Sequence, residues 1–270
     1  MSAKSRVWNL TINTGLLWCV LLAAILMQLG CATKYPVGSS EDLVERSFDA
    51  AVLGAKGKHQ ESELAFRELV RLQERFLGAE HPDTLLSRNN LAITLAHQGK
   101  VAEAEEEFRA VQKLRERVLG SDDPGTLESR FALAGMLYLR GKYVEAEAET
   151  REVIRLQEPI LGLEHPETLK TRNGLAKFLD AQGRHVEAEA EFRALITLLE
   201  RALGPEDPAT LMSLYNLALC LQKQDKLEEA KEFARRTVEG ARKVFRADNR
   251  DRKVYETLYK ELIAEKSSNP

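Results

Sequence analysis

The nine residues LGAEHPDTL from Leu77 return as LGSDDPGTL from Leu119, LGLEHPETL from Leu161 and LGPEDPATL from Leu203, a constant step of 42. No other feature restricts the fold as tightly, because a fixed period of this length means one supersecondary unit stacked on copies of itself. The landmarks between the loops keep step. Leu91-Ala92, Leu133-Ala134, Leu175-Ala176 and Leu217-Ala218 align, and Leu95, Leu137, Leu179 and Leu221 follow one turn later. Gly99, Gly141, Gly183 and Asp225 come next, each followed by Lys or Arg, and Ala104, Ala146, Ala188 and Ala230 complete the row.

Each period reads as a helical hairpin. Leu91, Ala92 and Leu95 share one helical face, and Ala104, Phe108, Val111 and Leu114 form the stripe of a second helix. Gly99 ends the first helix in a left-handed conformation, and the alanine row lets the two backbones approach closely. Gly78 ends the second helix and Pro82 opens the next hairpin, where its missing N–H costs nothing. His81, Asp123, His165 and Asp207 stand just before each proline as candidate helix caps. The repeated loop is therefore a joint that hands each hairpin to the next at one angle. The composition agrees, since only 6% of residues are aromatic and both Trp fall in the first 30.

The pattern resembles the tetratricopeptide repeat in its 42-residue form, as in kinesin light chains. Leu91-Ala92, Leu95, Gly99, Ala104 and Phe108 fall at the positions of that family's hairpin signature, and the likeness runs from about Gly57 to Phe245. Two departures stand out. Arg88, Arg130 and Arg172 occupy the position of the family's early Trp, and Thr150 and Ala234 replace its large second-helix aromatic. The arginine stems are expected to pack along the helix interface with their heads meeting neighbouring Glu. The resemblance implies an all-α, right-handed superhelical solenoid of about five antiparallel hairpins over residues 41–248. A polar capping helix over 249–265, with Val254, Leu258 and Leu262 on one stripe, would close the stack, leaving 266–270 as a disordered tail.

The first 30 residues differ in kind. Lys4 and Arg6 precede LLWCVLLAAILM, Leu16 to Met27, and QLGC follows to Cys31. A basic head, a short apolar core and small residues before a cleavage point describe an export signal. Gly30-Cys31-Ala32 resembles a bacterial lipoprotein signal, although Gln28 stands where that motif has Leu. That resemblance implies lipidation of Cys31 and an outer-membrane protein facing the periplasm. An uncleaved inner-membrane anchor and ordinary secretion are the alternatives. Residues 31–40 would be a tether of at most roughly 30 Å, which keeps the array close to the membrane.

Several chemistries are disfavoured. Removing residues 1–30 takes away two positive charges and moves the net charge from −3 to −5, so nothing attracts a phosphate backbone and nucleic acid is not an expected partner. With Cys19 removed and Cys31 lipidated, Cys220 has no partner for a disulfide and reads as a small apolar filler. His59, His81, His97, His165 and His185 show no metal-ligand spacing, so no metal site is expected. The chain lacks a phosphate-cradling glycine loop. The runs AEAEEEF and VEAEAETR read as solvated faces of second helices, where no burial would raise a carboxyl pKa for acid catalysis. Neither a catalytic constellation nor a cofactor or small-molecule substrate follows from these residues.

Function is expected in the groove that the resemblance implies, lined by the first helices. Its rows are Asn89, Phe131, Asn173 and Tyr215; Asn90, Ala132, Gly174 and Asn216; and Ile93, Gly135, Lys177 and Leu219, with Tyr138, Asp180 and Gln222 one turn on. Asn amides suit an extended peptide backbone, while Phe131, Tyr138 and Tyr215 offer apolar anchors; local capping or bridging is the competing role for these Asn. The rows change character between repeats, which favours one asymmetric partner. The expectation is a non-catalytic scaffold tethered to the bacterial envelope that binds a protein or peptide, with a self-assembling spacer as the alternative.

Overall fold

The structure, a computed structural model, describes residues 35–265. The expected signal or anchor, Cys31 and the tail 266–270 lie outside the described residues. Among those described there are eleven helices and no strands. They pair as α1 (Ser40–Ala55) with α2 (His59–Phe76), α3 (Pro82–His97) with α4 (Val101–Leu119), and α5 (Pro124–Leu139) with α6 (Tyr143–Leu161). Then come α7 (Pro166–Ala181) with α8 (His185–Ala202) and α9 (Pro208–Lys223) with α10 (Leu227–Val244), and α11 (Arg250–Glu265) stands alone. The five hairpins and the closing helix of the sequence reading are all present. None of these helices is long and apolar enough to cross a membrane.

The joints explain the spacing. Gly78, Gly120, Gly162 and Gly204 hold φ of 99°, 96°, 91° and 99°, conformations that disfavour a side chain. The caps fall on the 42-residue step without a break, from Ser39 through His81, Asp123, His165 and Asp207 to Asn249. The two histidines cap by accepting at Nδ1, from the N–H of Asp83 at 3.2 Å and of Glu167 at 3.3 Å. Thr84 and Thr210, from the same loops, donate to the carbonyls of Gly78 and Gly204. Every joint is thus capped by its own side chain, and the joints at Gly78 and Gly204 are tied at both ends.

The sequence Pro36–Ser40 is also a joint, one period upstream of the first recognisable loop. Gly38 donates its N–H to Asp42 at 2.9 Å and lies so close to Phe76 that a Cβ would come within 2.3 Å of the ring. The lower half of the expected tether is therefore folded onto hairpin 1. At the other end, α11 is the first helix of a sixth unit whose second helix is absent among the described residues. Leu258 and Leu262 are buried as expected, but Tyr255 and not Val254 completes their stripe, Val254 being exposed, and Ile263, at the position of Leu95 and Leu221, is half exposed.

The core runs along the stack in two main clusters, one across hairpins 1 to 3 and one across hairpins 4 and 5 with α11. Leu91, Ala92, Leu95, Ala104 and Phe108, with their counterparts in later repeats, are buried. Where Thr150 replaces the second-helix Phe, Phe178 of the following hairpin packs in the cluster with Leu133, Ala134, Leu137 and Ala146. The arginines behave as expected. Arg88 meets Glu107 at 2.5 Å, Arg130 meets Glu149 and Glu116 at 2.9 Å each, and Arg172 meets Glu191 at 2.8 Å and Glu158 at 3.0 Å. The last repeat has buried Leu214 there instead.

The acidic runs on second helices are not simply solvated, which corrects the sequence reading. One Glu per repeat, Glu63, Glu105, Glu147 and Glu189, turns into the junction with the next hairpin. Each accepts from an Arg four residues on, from a Gln or Arg 35 residues on and from a Lys or Arg 37 residues on. Glu105 is only 4% exposed, with Arg140 at 2.5 Å and Lys142 at 2.9 Å. A charge run conceals these residues because the neighbours at adjacent positions do face water.

Candidate interaction groove

Successive first helices touch directly, α1 with α3, α5 with α7 and α7 with α9, while hairpins are otherwise joined through sequence neighbours. The first helices are therefore the closer-set, inner layer of the stack, and the second helices form the outer one.

The structure distributes the nine expected groove residues into three groups. Ile93 and Lys177 are exposed, and Asn90, Asn173 and Asn216 are half-buried. Asn173 Oδ1 has no hydrogen-bond partner among the described residues. Phe131, Tyr138 and Tyr215 are half-buried because each ring bridges to a neighbouring first helix. Phe131 lies over Gly174, where a Cβ would come within 2.7 Å of the ring. Tyr138 stacks on Phe178 with centroids 5.1 Å apart, and Tyr215 meets Tyr255 at 5.0 Å. Each ring is thus engaged on a neighbouring helix and is not a free anchor.

Asn89 does not line the groove. It is 2% exposed, and its Oδ1 accepts from Ser129 Oγ, which in turn accepts from Arg115 Nη1 at 2.7 Å. A helical column lies about 100° from its neighbour, so a one-residue error moves a side chain from wall to interface. Burial of the Arg115 guanidinium pushes its pKa down, against the opposing charges of Glu128 and Asp123.

A cleft of about 290 Å³ opens between α9 and α11, lined by Tyr215, Leu219, Gln222, Lys253, Val254, Thr257, Leu258 and Glu261. It combines apolar walls with one basic and one acidic side chain. Burial also raises the pKa of the Tyr215 hydroxyl, which keeps it a neutral hydrogen-bonding group at any ordinary pH.

Stacking also brings histidines together with partners far away in sequence. The His59 and His97 rings lie parallel within 11° at 5.1 Å. His185 Nδ1 is 2.7 Å from Asp180 Oδ1, and the Cys220 thiol donates to the His185 carbonyl at 3.3 Å. The sequence shows neither grouping, since each joins residues from different hairpins. Burial raises the Cys220 thiol to about 11, reinforced by the Asp180 charge, so it is not a ready nucleophile and the pair does not make a thiol–imidazole catalytic centre.

A family model for the tetratricopeptide repeat matches residues 50–109, 86–158, 132–197 and 167–243. No curated protein matches the chain. A crystal structure of Podosopora anserina kinesin light chain with nearly identical TPR-like repeats is 28% identical, with a TM-score of 0.67 over 76% of this chain and 97% of that one. A point variant of that same protein, also 28% identical, gives 0.68 over 74% and 95%. BtubC (BKLC) from P. vanneervenii shares the fold at 16% identity, with a TM-score of 0.66 over 79% of this chain and 85% of that one. Matched by the family model across most of its length, with its caps, joints and alanine seam in the same period, this chain belongs to the tetratricopeptide repeat family, whose arrays generally serve protein–protein interaction or scaffolding and are typically non-catalytic.

Proposed function

We propose that this protein is a membrane-tethered scaffold that holds one segment of a partner protein, in extended form, along the inner wall of the array. The observation that carries the reading is the wall itself: exposed Ile93 and Lys177, half-buried Asn90, Asn173 and Asn216, and the cleft beside Tyr215 form a surface with both apolar and amide groups. An extended backbone presents N–H and C=O groups that side-chain amides can match pairwise. The change of residue type from repeat to repeat supports one asymmetric partner.

The test uses variants that leave the core alone. Ile93→Asp, Lys177→Glu and Asn216→Ala combined should reduce partner capture by in-envelope cross-linking at least tenfold, without lowering the thermal midpoint by more than a few degrees. Val186→Asp, on an exposed position of outer helix α8, should leave capture unchanged. Unaltered capture in the triple variant would remove the groove assignment.

Tethering rests on the sequence of residues 1–31. Lipidation of Cys31 would place a folded array, beginning with the joint at Pro36, within a few residues of the bilayer. Intact-mass spectrometry of the purified protein should show a diacylglyceryl adduct on a chain starting at Cys31. An unmodified Met1 terminus would instead support the uncleaved anchor. A spacer role has one supporting feature, an edge on which Phe76, Leu77, Val118, Leu119, Ile160, Leu203 and Val244 stand exposed near successive joints.

A further inference from the structure

We propose that Asp180, His185 and Cys220 bind a single zinc-like divalent metal ion in the junction between hairpins 4 and 5. One candidate donor atom from each lies within 4.8 Å of the other two. They come from the end of α7, the start of α8 and the last turns of α9, so an ion held by all three would fasten three successive helices.

The repeat provides an internal comparison. One period earlier the same three positions hold Tyr138, Tyr143 and Phe178, rings packed at 5.4 Å and 5.1 Å. Two periods earlier they hold Ala96, Val101 and Met136, three periods earlier Gly54, His59 and Thr94, and one period later Gln222, Leu227 and Leu262. Elsewhere this junction is filled chiefly with apolar or aromatic side chains. In one unit alone all three become an oxygen, a nitrogen and a sulfur donor together. Packing alone needs only volume there, and three simultaneous changes to metal-ligand chemistry point to a ligand.

The donor set suits a borderline-soft ion. Zinc takes carboxylate oxygen, imidazole nitrogen and thiolate sulfur at about 2.0–2.3 Å, which sets neighbouring donors about 3.3–3.7 Å apart. Asp180 Oδ1 and His185 Nδ1, now 2.7 Å apart, must open by about 0.6 Å to admit the ion between them, and the sulfur, within 4.8 Å of both, must close by at most about 1 Å, shifts within reach of side-chain rotation. Asp180 presents Oδ1 while Oδ2 stays with Lys223 Nζ at 2.5 Å. His185 presents Nδ1, which without the ion donates to Asp180 Oδ1 at 2.7 Å; on binding, that proton leaves to solvent and Nε2 takes one up, so the ring stays neutral. At Cys220 the S–H bond breaks, the proton passes to solvent and an S–metal bond forms, with no change of oxidation state. Gln224 Nε2 stands 3.7 Å from the sulfur and 2.9 Å from Glu189, placed to donate to the thiolate. Water completes the fourth position, reached through the partly exposed sides of Asp180 and His185.

The experiment titrates Co²⁺, then Zn²⁺, into the full-length chain in detergent, with Cys19 and Cys31 replaced by Ser so that Cys220 is the sole thiol. One equivalent of Co²⁺ should produce a thiolate-to-cobalt absorption in the near ultraviolet, and one equivalent of Zn²⁺ should abolish it. Cys220→Ser should eliminate the band, and Asp180→Asn and His185→Gln should each weaken binding at least tenfold. If Cys220→Ser fails to fold by circular dichroism, the other two variants decide. No band at stoichiometric cobalt, or a band unaffected by Asp180→Asn and His185→Gln, would overturn the site.

Discussion

Phe108→Ala is expected to destabilise the array by about 3–5 kcal/mol, the ordinary cost of deleting a fully buried Phe. The ring is 1% exposed in the seam where hairpins 1 to 3 pack, with Phe66, Leu91, Leu95 and Ala104 in the same cluster. Collapse around the cavity is opposed from two sides, because Ala92 and Ala104 already bring the backbones as close as they can come. Such a loss is a large part of the stability of an ordinary domain. It has a further consequence in a stack held by nearest-neighbour contacts. Hairpins 1 and 2 should melt ahead of the C-terminal cluster built around Phe192, Leu217 and Leu221. Thermal unfolding followed by circular dichroism should therefore broaden or split into two steps. Val118→Ala, 40% exposed, should stay within about 0.5 kcal/mol of the parent. A single unshifted transition for Phe108→Ala would contradict the packing described.

Acid should dismantle the polar junctions. A hydrogen bond from Lys100, helped by Gln98 and Arg67 against the opposing effect of burial, lowers Glu63 from 4.5 to about 2. At Glu105 burial acts to raise the pKa, and the bonds from Lys142, Arg140 and Arg109 outweigh it to leave about 2. Glu147 and Glu189 are lowered by the same balance of opposed effects. A carboxyl whose pKa is lower folded than unfolded stabilises the fold above its unfolded value, and that contribution disappears as pH falls toward the folded value. The window is thus from pH 4.5 down to about 2. The cationic partners are partly exposed, so screening reduces the gain to the order of 1–3 kcal/mol at each of the Glu63 and Glu105 junctions. The thermal midpoint should be flat from about pH 7 to 5 and drop steeply below about 4.5. Glu105→Gln should start lower at neutral pH and fall less in acid. A midpoint that holds to about pH 3 would show that these carboxylates contribute little.

What the sequence revealed was whatever repeats or acts locally. Caps, joint glycines, the Leu-Ala seam and the arginine–glutamate pairs depend on residues within one hairpin or at a fixed step, so periodicity alone located them. The final helix α11 was legible for the same reason, as a single stripe after the last full period, although it was read as a cap and not as the first half of a sixth unit. Interfaces between hairpins were harder. Asn89 sits one helical position from a true wall residue, and nothing in the sequence separates wall from interface at that resolution. Phe131 and Tyr138 read as free anchors until the small residue Gly174 and the ring of Phe178 were seen to receive them. The junction glutamates and the Asp180–His185–Cys220 group depend on stacking across 35 residues or more, a distance over which a run of charges or a lone Cys carries no mark of its neighbours.

The junction glutamates place their donors by offset, at 35 and 37 positions downstream, rather than by identity. Excising one whole period, such as 121–162, would set Glu105 opposite Gln182 and Arg184 in the seats of Arg140 and Lys142. The offset survives the deletion, so the junction carboxylate keeps a donor at each seat when an array of this kind is lengthened or shortened by whole periods, while contacts particular to one repeat, such as Phe131 on Gly174, are lost.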